Sequence, residues 1–195
     1  MQFENLKTAI LSRLKTEIRP CFYYHDYYHT YEVWQATHRM AETEGIDDNY
    51  RIILETAALL HDIGMLESFE AHEEASVRYA KEILPTYGYS ETEIEEISHL
   101  IFATQLPQQA TSIGEKIICD ADLDYLGRDD FFIIAHRLKY EWKCQGRLFT
   151  LREWYELQAK FLKKHHYFTK SAIDLREATK RKHLEQILEL LNQEK

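Results

Sequence analysis

A chain of 195 residues with 33 acidic against 24 basic side chains, for a formal net charge of −9, is poorly suited to the phosphate neutralisation on which broad nucleic-acid or anionic-membrane binding depends. No stretch approaches the ~18 apolar residues of a membrane-spanning helix, and the opening MQFENLKTAI lacks the basic region and long apolar core of a secretory signal. Cys21, Cys119 and Cys144 show no Cys-x-x-Cys spacing, which predicts free thiols in a reducing cytoplasm. A chain of this length buries roughly 70% of its unfolded surface, so the expectation is one domain over 1–195 that needs neither disulfide nor metal merely to fold.

The elements read as helices from end to end. Only two valines occur, Val33 and Val77, so the β-branched signal for strands is thin. Leu6, Ala9, Ile10 and Leu14 share one face and predict a helix over about 4–18. A second follows over 28–44, closed by Gly45, and a third over 48–63, closed by Gly64. The fourth, 71–86, precedes Gly88; the fifth, 91–105, opens on the capping box Ser90-x-x-Glu93. The sixth, 112–126, ends at Gly127 and the seventh, 129–145, at Gly146. The eighth, 151–166, opens on a second capping box, Thr150-x-x-Glu153, and carries Trp154, Leu157 and Phe161 on one face. The ninth, 171–192, carries Leu184, Ile187, Leu188 and Leu191. Two irregular stretches, GMLESFEAH (64–72) and QLPQQATSIG (105–114), are candidate rims for a site.

Certain polar residues interrupt the apolar faces. His29 heads the row Val33, Ala36, Met40, and so projects inward from the first turn of its helix. In AALLHDIGML (57–66), His61 extends the Leu54–Ala58 face, while Asp62 lies one turn beyond Ala58. Ile118 and Asp122 stand in the same relation. Four polar groups on inward faces are costly unless something satisfies them, and one divalent cation satisfies all four. Imidazole nitrogen and carboxylate oxygen suit borderline ions such as manganese, iron, cobalt, nickel or zinc, and two His with two Asp leave coordination positions open for water and substrate.

Three segments carry these residues: YHDYYHTYEV (24–33), ALLHDIG (58–64) and DADLDYLG (120–127). In that order on a helical chain, they resemble the HD superfamily of metal-dependent phosphohydrolases, and the first looks like the Tyr-His-x-x-x-His-x-x-x-Val segment of cyclic-nucleotide phosphodiesterases within it. The resemblance implies an all-α, single-domain multi-helix bundle with the metal site between central helices. The metal-binding core would span about 24–127, with helices over 128–195 packed on it. It makes His29, His61, Asp62 and Asp122 metal ligands. Asp122 is chosen over Asp120 and Asp124 because it stands between Ala121 and Leu123, as in the family's motif. Asp62 would also take part in catalysis and bridge to a second, weaker ion, and His25 would be the general acid, one turn before His29 on the same helical side.

The departures matter as much. His72 looks like one of the extra histidines of two-metal members, but Thr104 stands where another would fall, and His99, five residues earlier, lies about 140° away around a helix. The expectation is therefore one firmly held divalent ion (manganese, iron, nickel, cobalt, zinc or magnesium), with His72 touching substrate or a second ion. Met65 and the lack of paired acids after Asp62 disfavour the cyclic-di-nucleotide and guanosine-tetraphosphate branches. Lys116, Arg128 and Arg147 are candidate clamps for phosphate oxygens, with Lys116 and Arg128 preferred as substrate-binding residues. Tyr23, Tyr24, Tyr27, Tyr28 and Tyr31 are expected to pack helices, and His165-His166 and the basic KRKH (180–183) to face solvent.

The function so implied is hydrolysis of a phosphate mono- or diester, of a nucleotide or other small phosphorylated metabolite, by metal-activated water. The alternative is a metal-containing sensor that binds a nucleotide without cleaving it. Exposed apolar helix faces are compatible with a homodimer.

Overall fold

Among the described residues the apolar stripes become the buried faces of nine α-helices: α1 (Phe3–Glu17), α2 (Tyr27–Thr43), α3 (Asp48–Leu60), α4 (His72–Ile83), α5 (Glu91–Ala103), α6 (Ile113–Asp122), α7 (Phe131–Cys144), α8 (Leu151–Lys164) and α9 (Lys170–Gln193). This computed structural model describes residues 1–193, so the last two residues of the expected 1–195 domain lie outside it, and no strand occurs among the described residues. No helix among them is long and apolar enough to cross a membrane.

Three expected helices are shorter than the periodicity predicts. Those over 48–63, 71–86 and 112–126 each break, and a 3₁₀ turn follows: Ile63–Leu66, Leu84–Tyr87 and Asp124–Gly127. In the second, Pro85 opens the tighter turn, where its missing N–H costs nothing. The first and third breaks fall at His61-Asp62 and just after Asp122.

The centre of the bundle is α3. Every residue from Ile53 to Leu60 is buried, because α1, α2, α4, α5 and α6 all pack against it. A helix covered on all sides is apolar all round, and its polar exceptions are bonded. Glu55 accepts from Trp34 Nε1 at 2.7 Å and engages His38 Nδ1 at 2.8 Å; the Thr56 hydroxyl donates to the Ile52 carbonyl at 2.7 Å. The capping boxes at Ser90 and Thr150 form as expected, and a third at Ser112 and Glu115 opens α6.

Two surface expectations are corrected. Within KRKH, Lys180 and His183 are only 3% and 5% exposed, because α9 packs against α8 and the Asp124–Gly127 turn. The Lys180 ammonium donates to the His165 carbonyl at 2.9 Å, and His183 stacks on Phe131 with ring centroids 4.7 Å apart. His165 is half-buried rather than exposed; burial, then the neighbouring Lys180, push its pKa down to about 3. Of the tyrosine cluster, Tyr24 is fully buried, whereas Tyr23 and Tyr28 face solvent. The inner acids have separate partners. Asp120 accepts from the backbone N–H groups of Phe168 and Thr169, and Asp124 pairs with Arg176.

The turn after α3 is held by α4. Gly64 N–H donates to Ser76 Oγ at 2.8 Å, and that hydroxyl donates to the His61 carbonyl at 2.7 Å. A Cβ at Gly64 would collide with the His72 carbonyl and lie 2.7 Å from Ser76 N and 2.8 Å from Ala75 Cβ. Gly64→Ala is therefore expected to cost about 2–4 kcal/mol and to separate the His61-Asp62 turn from α4. Urea unfolding of the purified variant measures this, and unchanged stability would contradict the close approach.

Candidate metal centre

Local structure delivers each group to one point. Asp26 caps α2, its carboxylate accepting from the N–H groups of Tyr28 and His29 and so setting the first turn from which His29 points inward. His61 and Asp62 stand where α3 gives way to its 3₁₀ turn, and Asp122 is the last residue of α6. Donor atoms of His29, His61 and Asp122 all lie within 4.8 Å of one another. His29 Nε2 is 3.3 Å from His61 Nε2 and 3.3 Å from Asp122 Oδ1, with His61 Nε2 to Asp122 Oδ1 at 3.6 Å. Asp62 Oδ2 closes the group at 3.1 Å from His61 Nε2 and 3.3 Å from His29 Nε2.

This donor set fits a divalent cation. His61 Nδ1 lies 2.8 Å from the Ala58 carbonyl, which can only accept. Nδ1 therefore carries the proton, and Nε2 of the neutral ring offers a lone pair to the cluster. Asp62 Oδ2 is buried with no hydrogen-bond partner. An ion about 2.0–2.2 Å from each donor brings neighbouring donors to within about 3.0–3.5 Å of each other, which is the spacing observed.

In the absence of an ion, protons take its place. Burial opposes charge on His29, but the neighbouring carboxylates of Asp122 and Asp62 outweigh it and raise its pKa to about 9. His61 is raised well above the ordinary range: burial again opposes the charge, and the charge of Asp62 overcomes it. Burial alone would lift both carboxylates. Instead, the histidines hold Asp122 down to about 2 and Asp62 well below the usual range.

The cluster opens onto a cavity of about 490 Å³. Asp62, Asp122, His25 and His72 line it, with Tyr24, Phe69, Tyr125, Trp142 and Phe161 among its walls. His72 Nε2 stands 3.4 Å from Asp62 Oδ1, so the two Asp62 oxygens face different imidazole groups.

The position of His25 corrects the sequence expectation. It precedes α2 instead of sharing its face, because Asp26 is the cap. What places it is Glu141 of α7, fully buried. One Glu141 oxygen accepts from the N–H groups of Tyr24 and His25 at 2.8 and 3.0 Å, and the other engages His25 Nδ1. The His25 ring still comes to 5.9 Å from that of His29 and 5.8 Å from that of His72. Glu141 was missed by the sequence reading. Its signal was an acid on the inward row Ile134, Leu138, Glu141 of a helix with no recognised motif.

The candidate phosphate clamps separate. Lys116 sits midway along α6 and takes no part in the cavity wall. Arg128 lines a small neighbouring crevice with His29 and Glu32, where Glu32 at 2.9 Å and Asp130 at 3.0 Å already engage it. Arg147 does line the cavity, its guanidinium 5.6 Å from the Phe69 ring and 5.3 Å from that of Trp142. Thr104 is also in the wall, its hydroxyl donating to the Ile101 carbonyl at 2.8 Å. His99 is exposed and absent from it.

An all-α bundle with a His and Asp cluster between its helices defines a helical protein with a candidate metal site, and the comparison with family models makes the class specific. The chain belongs to the HD domain family, whose model matches residues 26–124. None of the curated proteins matches it in sequence. Solved structures share the fold over nearly the whole length. Bacillus subtilis YpgQ in complex with ADP is 20% identical, with a TM-score of 0.69 over 98% of this chain and 97% of that one. A predicted HD superfamily hydrolase from an uncultured Thermotogales bacterium is 23% identical, with a TM-score of 0.63 over 98% and 92%. The Lin1889 protein of Listeria innocua is 19% identical, with a TM-score of 0.68 over 97% and 96%.

A cation entering this cluster has to displace the protons on His29 and His61. Binding at pH 7 is therefore expected to release about two protons per ion, and affinity to fall as pH falls. Calorimetry in buffers of different ionisation enthalpy reads the proton count directly. Binding that is independent of pH, with no proton release, would show that these histidines do not carry those protons in the metal-free protein.

Proposed function

We propose that this protein is a metal-dependent phosphohydrolase acting on a small phosphorylated metabolite, with nucleotides the leading class. One observation carries the reading: metal-type donors of His29, His61 and Asp122 face one another with Asp62 beside both histidines, and the two carboxylates border a cavity that a separately anchored histidine also lines. In this reading His29, His61, Asp62 and Asp122 hold one divalent ion, of manganese, iron, nickel, cobalt, zinc or magnesium type. Asp62 Oδ1 and His72 offer a weaker place for a second. The bound ion supplies Lewis-acid polarisation of a phosphoryl oxygen and a water of lowered pKa.

The chain's own residues do the rest. His25 is the general acid. Its Nδ1 is engaged by Glu141, which leaves Nε2 to carry the proton that goes to the departing oxygen. Glu141 is a positioning residue, holding both the ring and the loop backbone. Asp62 orients the attacking water through its place in the cluster. Arg147 is better situated than Lys116 or Arg128 to contact phosphate oxygens, while His72 keeps its expected role. The aromatic walls exclude bulk water and suit a planar group, and the YpgQ crystal with ADP supports a nucleotide as occupant.

The whole chain acts as one unit in this account. The segment 131–164 lies outside the matched family region, yet contributes Glu141, Trp142, Arg147 and Phe161. The cysteines are free thiols, in keeping with a cytoplasmic protein. A second reading, a nucleotide sensor without turnover, draws on Thr104 where a further metal histidine was looked for.

Metal quantification followed by a phosphate-ester screen on the same preparation separates the two readings, since saturable nucleotide binding with no phosphate or ester cleavage favours the sensor. His25→Ala is expected to keep the metal and slow turnover by about 10²–10⁴-fold. Glu141→Gln should retain metal and slow turnover by roughly 10–100-fold. His61→Ala should lose both metal and activity. Equal metal loss in His25→Ala and His61→Ala would refute this division of labour.

A further inference from the structure

Two thiols stand together outside the metal cluster. Cys21 lies in the segment 18–26 between α1 and α2, and Cys144 is the last residue of α7. The segment runs along that helix. Tyr23 packs edge-on against Tyr140 with ring centroids 6.4 Å apart, and the N–H groups of Tyr24 and His25 donate to Glu141 at 2.8 and 3.0 Å. Cys144 follows Tyr140 by one helical turn. Its thiol shares a hydrogen bond with that of Cys21, which is the main cause of a Cys144 pKa above the ordinary thiol value. Both cysteines are exposed. Cys119, by contrast, is fully buried, its thiol donating to the Ala103 carbonyl at 3.0 Å. The same two stretches flank one ring of the cavity wall. Phe22 lies 6.3 Å from Phe69 between ring centroids, and Arg147, whose N–H donates back to the Trp142 carbonyl at 2.9 Å, lies 5.6 Å from it.

We propose that Cys21 and Cys144 form a reversible disulfide that clasps the segment carrying His25 to α7. The oxidant is a small-molecule disulfide. One protein thiolate attacks it, the reagent's S–S bond breaks, and a mixed disulfide forms as one small thiolate leaves. The second protein thiolate then attacks the protein sulfur of that mixed disulfide and expels the other small thiolate. The protein gives up two electrons and two protons, and the reagent becomes two thiols. In a reducing compartment both cysteines are free, and such a pair responds when conditions turn oxidising. A bond between residues so distant in sequence also restricts the unfolded chain strongly, which stabilises the folded one.

The competing explanation is that the two thiols are neighbours without the geometry of a bond. A disulfide needs Cα atoms about 4.4–6.8 Å apart and Cβ atoms turned towards each other. Without that arrangement each exposed thiol reacts separately.

The test incubates the folded full-length protein with glutathione disulfide, blocks the remaining thiols with iodoacetamide, and maps the peptides by mass spectrometry. A single cross-link joining the Cys21 and Cys144 peptides is expected, within one chain, with Cys119 alkylated only after unfolding and no glutathione retained. Dithiothreitol should restore both thiols. The oxidised protein should melt roughly 5–15 °C above the reduced one, and the amides of Tyr24 and His25 should exchange with solvent about tenfold or more slowly. Cys21→Ser and Cys144→Ser should each lose the cross-link and the melting shift, and keep one glutathione on the remaining exposed thiol. Stable glutathione adducts on both cysteines of the native protein would overturn the proposal, as would cross-links between chains. An oxidised protein that melts no higher than the reduced one would also overturn it, since the bond would then strain the fold instead of clasping it. No step of the test uses a metal ion or a phosphate ester, so its outcome is independent of the hydrolase reading.

Discussion

Lone pairs facing lone pairs are the constraint around which this molecule is arranged. The imidazole nitrogens of His29 and His61 lie 3.1–3.6 Å from each other and from carboxylate oxygens of Asp62 and Asp122, in a region almost closed to water. Such a group is strongly destabilising unless positive charge sits among it. Protons provide that charge in the metal-free protein, which is why His29 titrates near 9 and Asp122 near 2. A divalent cation does the same with more charge and with positions left over for ligands.

The helices around the cluster hold it against its own repulsion. The Asp26 cap sets the turn bearing His29. Ser76 joins the His61-Asp62 turn to α4, and the absence of a side chain at Gly64 lets α4 come close enough to do so. Buried polar groups away from the site are satisfied separately: Asp120 by the start of α9, Asp124 by Arg176, Glu55 by Trp34 and His38. The acids nearest to Asp122 in sequence are thus already committed, and they leave the cluster to Asp122.

Beyond the HD region, α7 and α8 turn a metal cluster into a cavity. Glu141 accepts three hydrogen bonds from the Tyr24-His25 segment, so the loop before α2 takes its shape from a helix more than a hundred residues away. Trp142, Gln158 and Phe161 then wall the space into which that histidine looks. The His and Asp cluster and the particular lining of the cavity come from different parts of the chain, so the lining can vary on the same fold while the cluster stays.

The sequence by itself determined the helical class, the helix count among the described residues and, through the resemblance of three segments, which histidines and aspartates to look for between the helices. These are written in short range: apolar rows at helical spacing, capping residues, and inward histidines and aspartates at the ends of those rows. It did not determine where α3 and α6 would break into 3₁₀ turns, since neither break carries a proline and apolar residues resume beyond each. Only the tertiary structure decided that Glu141 holds His25, that Arg147 rather than Lys116 or Arg128 borders the cavity, and that Lys180 and His183 are buried under a charged stretch. Each of those depends on which helix lies opposite, and the pairing of distant faces leaves no periodic trace along the chain.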